Sequence, residues 1–330
     1  MKILYAVQGT GNGHLSRAME IIPVLQKKCD LDILVSGIQA DLKLPYPVKY
    51  KMHGWSFIFG KSGGVDVMAT LKKTRALELC KDILTLPVKQ YDLIINDFEP
   101  VSAWAARFKN KKCVGLSNQC AAFSPHVPRP ESSDALGKFT LKNYAPMSAC
   151  YGLHFEAYED NIFTPIIRRE IRELQTSNDG HYTVYLPSYD NERIIRVLGH
   201  FKNIQWEVFS KHDKTAFHVG NVSIRPIDSK SFIKSLASCA GTICGAGFGA
   251  TSEALFLKKK LLVIPMKTQY EQHINAATLS KMGVPVIKSL KEKYADVIEN
   301  WLESKKIVEV NYPDITEYII DKILQEQLSS

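Results

Sequence analysis

The chain has 330 residues, 45% of them hydrophobic and 23% charged, the proportions of a globular protein large enough for two domains. Its formal charge of +8 comes from lysines and arginines spread along the whole length. No dense basic tract with interleaved aromatics is present, so a nucleic-acid partner is not expected. No apolar run is long enough to span a bilayer, and Met1-Lys2-Ile3-Leu4-Tyr5-Ala6-Val7 passes too quickly into glycine for a signal peptide. The seven cysteines are scattered and form no CxxC pair, which predicts reduced thiols, a cytoplasmic setting and no zinc site.

In chain order, residues 2–7 read as a strand and 13–28 as a helix, with Leu15, Met19, Ile22 and Leu25 at helical spacing. Residues 31–35, 93–96 and 112–116 read as further strands, and 99–108 as a helix. Residues 44–59 are less regular: Pro45 and Pro47 precede the aromatic cluster Trp55-Ser56-Phe57-Ile58-Phe59. Gly60-Lys61-Ser62-Gly63-Gly64 then predicts a mobile loop. A polar stretch with Asp160, Pro165 and Asn178, residues 156–180, marks the junction between domains. Beyond it, 182–186, 206–209, 222–226, 241–244, 261–264 and 285–287 read as strands. Helical patterns cover 191–198, 229–237, 251–257, 271–282, 291–303 and 316–325. The alternation predicts an α/β protein of two Rossmann-like, doubly wound domains facing a central cleft. The divisions fall at 1–163, 164–315 and a last helix, 316–330, able to cross back onto the first domain.

The run Gly245-Ala246-Gly247-Phe248-Gly249-Ala250-Thr251-Ser252-Glu253 follows a strand and opens a helix. A glycine turn and a helix start together make an anion site, because the backbone can approach closely and the first N–H groups are unpaired. The expected guest is a diphosphate, cradled by Gly247, Phe248, Gly249, Ala250 and Thr251. Glu253 would repel a phosphate, so it is assigned to a ribose diol, and the local reading is a nucleoside diphosphate. Gln269, Glu271, Gln272 and Asn275 open the next helix, where amides and a carboxylate suit sugar hydroxyls. Ordinary first-turn capping explains the same letters. Ser188, after the first strand of this domain, is a further candidate for the phosphates.

In the first domain, Gly9-Thr10-Gly11-Asn12-Gly13-His14 departs from a dinucleotide fingerprint. His14 stands where the third glycine belongs, and the second strand ends in Ser36-Gly37 with no acid for an adenosine ribose. An imidazole at the carboxyl edge of a parallel sheet suits general-base chemistry, whereas a purely local role would be capping of the first helix. Asp97 should emerge at the same edge, either to orient His14 or to cap the helix that follows. Gly11, Asn12 and Gly13, with Asn118 and Gln119 after a neighbouring strand, form the expected acceptor side. Asp30-Leu31-Asp32 has the letters of a metal-binding pair but lies at the amino edge of its sheet, so no metal site is expected.

These patches together resemble the GT-B glycosyltransferases, both the MurG-like enzymes of the family 28 type and the wider UDP-glycosyltransferases. The resemblance implies an acceptor-binding first domain and a second domain that binds a UDP-sugar. It places Glu253 on the ribose, Glu271 and Gln272 on the donor sugar, and His14 at the acceptor hydroxyl. One amide of the family's sugar-reading pair is here the carboxylate of Glu271. The implied reaction moves a hexose or N-acetylhexosamine from the UDP-sugar to a hydroxyl acceptor with inversion, without metal or other cofactor. The cluster Trp55-Ser56-Phe57-Ile58-Phe59 suggests a lipid-linked acceptor at the inner face of a membrane, while a buried core segment explains the same letters. Residues 46–59 do not match the peptidoglycan enzymes, so their lipid is not the expected acceptor. Two rivals share the fold: a non-hydrolysing UDP-sugar 2-epimerase and a non-catalytic nucleotide-sugar-binding protein.

Overall fold

The computed structural model describes residues 1–37, 44–54, 76–131 and 134–328. Among these residues, seven strands build the first sheet: β1 (Lys2–Gln8), β2 (Asp30–Ser36), β3 (Tyr50–Met52), β4 (Leu93–Asp97), β5 (Cys113–Ser117), β6 (Ala149–Leu153) and β7 (Ile162–Phe163). Their order is β3-β2-β1-β4-β5-β6-β7, with every neighbouring pair parallel. Helices cover both faces, so β4 and β5 are buried along their whole length, and their near-continuous apolar runs follow from that.

Six strands form the second sheet: β8 (Tyr182–Tyr185), β9 (Trp206–Ser210), β10 (Phe217–Val219), β11 (Val222–Pro226), β12 (Gly241–Cys244) and β13 (Lys260–Val263). The order is β10-β11-β9-β8-β12-β13, parallel except for the hairpin of β10 with β11. The expected pair of doubly wound sheets is therefore present. Each sheet has a point where strand order reverses, between β1 and β4 in the first and between β8 and β12 in the second. Open α/β sheets bind ligands in the crevice that such a reversal leaves at the carboxyl ends of the strands.

The chain crosses between sheets through residues 164–181 and returns with the helix Thr316–Leu328. Ile319, Ile320 and Ile323 of that helix are buried in one core with Leu15, Ile22 and Leu25 of the helix Asn12–Lys28. Ionic and polar contacts fasten it further: Lys28 to Asp321 at 2.7 Å, Tyr151 to Glu326 at 2.7 Å, and Lys112 to the Gln327 carbonyl at 2.8 Å. The same core runs through Phe155 of the first half and Phe248 of the second, whose rings lie 5.2 Å apart. Among the described residues no helix is long and apolar enough to cross a membrane.

Several elements differ from expectation. Residues 285–287 do not form a strand; a single bridge joins Val286 to Val263. The short strand β3 lies in the stretch expected to be irregular, and β6, β7 and β10 were not apparent in the pattern. The Trp55–Phe59 cluster and the glycine loop at 60–64 lie outside the described residues.

Candidate active site

The first half of the site forms at the β1/β4 reversal. Gly11 caps the helix Asn12–Lys28 with φ +91 and ψ 157, a conformation that only glycine adopts without strain. His14 thus falls in the first turn of the helix, and capping is not its role. A side chain added at Gly11 or Gly13 would meet nothing within 4 Å, so both present bare backbone to open space. His14 Nδ1 lies 2.8 Å from Asp97 Oδ1. Asp97 is 0% exposed at the end of β4.

Asp97 does not cap the next helix. Glu99 does: its carboxylate accepts from the backbone N–H of Val101 and Ser102, both at 2.7 Å. Asn96 braces the turn, accepting from the Glu99 N–H at 2.8 Å and donating to the Glu99 carbonyl at 2.7 Å. Between the two acids Phe98 has φ 55, the left-handed region that a bulky side chain avoids. Its ring stacks on Tyr144 at 4.8 Å, which helps to hold that conformation. This strained corner lets one acid face the cleft while the acid two residues later turns back to the helix. The strain is stored at the site.

Arg17 was not anticipated. Its guanidinium spans Asp97, with Nε donating to Oδ2 at 2.9 Å and Nη2 to Oδ1 at 2.6 Å. Burial alone would push the Asp97 carboxyl up, but Arg17 and then His14 outweigh it and hold it below the usual carboxylate range. Arg17 Nη2 also donates to Asn118 Oδ1 at 3.3 Å. The sequence carried one signal for this residue: an arginine one turn after His14, within the apolar pattern of an otherwise buried helix face.

The second half forms at the β8/β12 reversal. Gly247 is the N-cap of the helix Phe248–Phe256, with no side-chain cap, and a Cβ at Gly247 or Gly249 would meet nothing within 4 Å. The start of this helix is therefore uncapped backbone beside open space, the arrangement that receives anions. Thr251 corrects the expected cradle. It is fully buried, its N–H goes to the Gly247 carbonyl at 3.3 Å, and its hydroxyl goes to the same oxygen at 2.8 Å. The amides not used in this way are those of Phe248, Gly249 and Ala250. Ser188 is buried in the turn after β8, the strand beside β12. Asn275 anchors the loop by donating to the Ala246 carbonyl at 2.9 Å.

Glu253 is held by a partner that sequence reasoning missed. Arg168, in the crossover between sheets, donates from Nε to Oε1 at 2.6 Å and from Nη2 to Oε2 at 2.8 Å. Glu253 is 7% exposed. Each carboxylate oxygen retains one further lone pair, so a diol would share the group with Arg168 rather than have it alone. Gln269 and Gln272 are also engaged. Gln272 Nε2 donates to Gln269 Oε1 at 2.6 Å, and Gln272 Oε1 accepts from the Met266 N–H at 2.9 Å.

Glu271 joins the two halves. Its carboxylate accepts from Asn118 Nδ2 and Gln119 Nε2, each at 2.7 Å. The acceptor-side amides and the expected sugar reader therefore meet across the cleft. Through Asn118 and Arg17 a continuous polar chain runs from Glu271 to Asp97 and His14. The Asp30/Asp32 pair lies at the opposite end of the first sheet, where Asp32 is bound to Lys49 at 2.6 Å and to the Tyr91 hydroxyl at 2.7 Å. Among the described residues no cluster of three or more His, Cys, Asp or Glu is placed to hold a metal ion.

Two doubly wound domains whose reversal points face one cleft, with an imidazole–carboxylate pair on one wall and a glycine-rich helix start on the other, define the GT-B class of glycosyltransferase folds. Solved structures bear out the fold: MnaA of S. aureus in complex with UDP (10% identity, 99% of this chain and 97% of that one, TM-score 0.68) and MurG of Acinetobacter baumannii (14%, 98% and 99%, 0.60). A third is Phytolacca americana UGT2 complexed with UDP-2fluoro-glucose and pterostilbene (13%, 99% and 93%, 0.59). Comparison with curated protein sequences gives no significant match. The model of glycosyl transferase family 1 matches residues 1–305, and the chain belongs to that family.

Proposed function

We propose that the protein transfers a hexose or N-acetylhexosamine from a UDP-sugar to a hydroxyl acceptor, with His14 as general base. The observation that carries this reading is the 2.8 Å contact of His14 with buried Asp97, in a molecule whose second domain offers an uncapped helix start at Gly247. The carboxylate accepts a hydrogen bond from Nδ1–H, which keeps that proton on Nδ1 and leaves the Nε2 lone pair free to accept another. As the acceptor O–H gives its proton to Nε2, its oxygen attacks the anomeric carbon. The bond to the diphosphate breaks on the opposite face, and its electron pair stays on the leaving oxygen, so configuration inverts. Asp97 then stabilises the imidazolium.

The departing charge falls on the N–H groups of Phe248, Gly249 and Ala250 and on the helix dipole, which supports a metal-independent reaction. Glu253 receives the ribose diol on the lone pairs that Arg168 leaves. Glu271 and Gln272 read the sugar, whose hydroxyls replace the amides of Asn118 and Gln119 on Glu271. A lipid-linked acceptor at the inner face of a membrane fits Leu77 and Leu84 on the helix Ala76–Thr85 and Phe108 at the end of the helix Pro100–Phe108, large apolar side chains exposed on the first domain.

The test follows UDP release and the fate of the sugar from UDP-hexoses, with water or a simple alcohol as acceptor. Wild type should release UDP. His14→Ala should keep the thermal shift given by UDP while losing turnover by about two to four orders of magnitude. Unchanged turnover removes His14 from the mechanism. A sugar nucleotide of altered stereochemistry with no free UDP identifies the epimerase, and a thermal shift without turnover in wild type identifies the binding protein.

A further inference from the structure

Arg17 lies one helical turn after His14 and is 7% exposed. The Nη2 that bonds Asp97 Oδ1 is also 3.0 Å from His14 Nδ1. Nδ1 cannot accept from Arg17 and donate to Asp97 at once, and a guanidinium has no proton to give up at ordinary pH. If Nδ1 turned its lone pair to Arg17, that lone pair would also face the carboxylate at 2.8 Å, two acceptors in contact. The proton therefore stays on Nδ1 toward Asp97, and Arg17 and His14 share that carboxylate as two donors. An imidazole beside a lone buried carboxylate is drawn toward its charged form. Here a fixed cation already satisfies the carboxylate, and that cation opposes a second positive charge on the ring.

The other groups around the pair do not change this sign. Tyr5 on β1 remains a neutral phenol, since burial and then Asp97 push its hydroxyl well above the ordinary value. Cys120 is also pushed up, by its contact with Cys150 and by burial. Glu271 faces Arg17 from the second domain, but Asn118 stands between them and its carboxylate is bound by two amides.

We propose that Arg17 is a positioning residue that keeps the His14 imidazole neutral in the resting enzyme, so that Nε2 is free to take the acceptor's proton. This rests on the reading of His14 as the base. Arg17 itself touches neither substrate nor the reacting atoms; it acts through the carboxylate that it shares.

The experiment compares Arg17→Met, Arg17→Gln and Arg17→Lys in the full chain. It reads the pH profile of kcat/KM for UDP-hexose turnover and the NMR titration of the His14 ring, assigned with His14→Ala. Met and Gln remove the charge, and Gln keeps an N–H for Asp97, which makes it the milder change for folding. In either, the acid limb and the ring titration should move up by about one to two pH units. Turnover near neutrality should fall roughly tenfold and return at higher pH, while KM for the donor stays. Lysine keeps the charge and should bring both readouts most of the way back.

A limb and a ring titration that stay put in whichever charge-free variant folds would overturn the proposal, as would a lysine variant that moves as far as glutamine. Turnover lowered equally at every pH would mark Arg17 as packing only. Should His14→Ala retain turnover, the base assignment fails. The ring titration still reports what Arg17 does to the imidazole.

Discussion

Two buried arginine–carboxylate clamps stand on opposite walls of the cleft, alike in geometry and different in company. Arg17 spans both oxygens of Asp97, and Arg168 spans both oxygens of Glu253. Asp97 is also shared with an imidazole, and all three groups belong to one helix and one strand of one domain. Arg168 comes from the crossover between domains, also bonds the exposed Glu170, and precedes Arg169, whose N–H reaches Glu20 of the first domain at 3.1 Å. The first clamp lies within one domain and sits beside an imidazole. The second ties the connection between domains to the helix that starts at the glycine loop. On the proposed mechanism the same pair chemistry would govern a proton on one wall and orientation on the other. Buried ion pairs are weak evidence for stability in themselves, so removing one partner at a time is the informative way to separate these roles.

The largest expected effect is that of Asp97→Asn. It leaves Arg17 buried without an anion, at a cost of about 3–5 kcal/mol in denaturant unfolding. An asparagine can also donate to Nδ1 and so fix the wrong tautomer, and turnover should fall by roughly two to four orders of magnitude. A variant that unfolds like wild type and turns over at more than a tenth of its rate would break the first half of the comparison. Arg168→Met should be milder in unfolding, about 3 kcal/mol, because that pair keeps some solvent contact. Its kinetic signature should be the reverse: donor KM rises and kcat stays within a fewfold. Initial rates across donor concentration separate the two outcomes. Equal kcat losses in both variants would show that the walls are not divided by role.

Glu253→Gln comes next. Exchanging a charged acceptor for a neutral one should weaken UDP by about 1–3 kcal/mol in calorimetry while kcat at saturating donor changes little. Unchanged affinity would remove the ribose from Glu253 and leave Arg168 as its only partner.

The distance between these partners explains what the sequence could and could not show. Strands whose apolar runs stand between clear helical patterns, such as β1, β4 and β12, were legible, and with them the sheet edge from which His14, Asp97 and Gly247 emerge. The strands β3, β7 and β10, of two or three residues, carry too few side chains to display a period, and β6 (Ala149–Leu153) has a glycine and small residues in place of a continuous apolar run. Residues 285–287 have strand-like letters but gain one bridge, since the sheet ends at β13. Asp97 was ambiguous because an aspartate near Pro100 is a good cap. Glu99 took that place through a left-handed Phe98 that no glycine announced. Arg17 could have been found from its spacing to His14. Arg168 could not, for it lies 85 residues from Glu253 in a segment read as a linker. Glu271 with Asn118 and Gln119 is a purely tertiary meeting of two domains.

The seam between the two walls holds neither clamp, and it yields the smallest prediction. His154 follows β6, lies 2.9 Å from the Thr278 hydroxyl on the helix Tyr270–Lys281, and stacks on Phe248 with centroids 6.3 Å apart. Burial, and then Arg129, push its pKa down to about 3. The unfolded chain takes up a proton here near pH 6.5, which the folded one refuses until far lower pH. Stability from this group is therefore complete above about pH 6.5 and declines as pH falls, by at most about 1.4 kcal/mol per unit. Asp97, with its pKa lowered, gives up its own contribution only as pH falls through and below the ordinary carboxylate range, beneath the window from about pH 6.5 to 5 in which His154 acts. Glu20 and Glu99, raised chiefly by burial, act with the opposite sign and cancel in a difference between variants. His154→Leu should accordingly lose about 1 kcal/mol less than wild type between pH 7 and pH 5.5, read from denaturant curves at each pH. Parallel curves would mean that the seam opens to water often enough for this histidine to titrate as it does in the unfolded chain. The two walls would then be less firmly joined than Glu271 and its amides suggest.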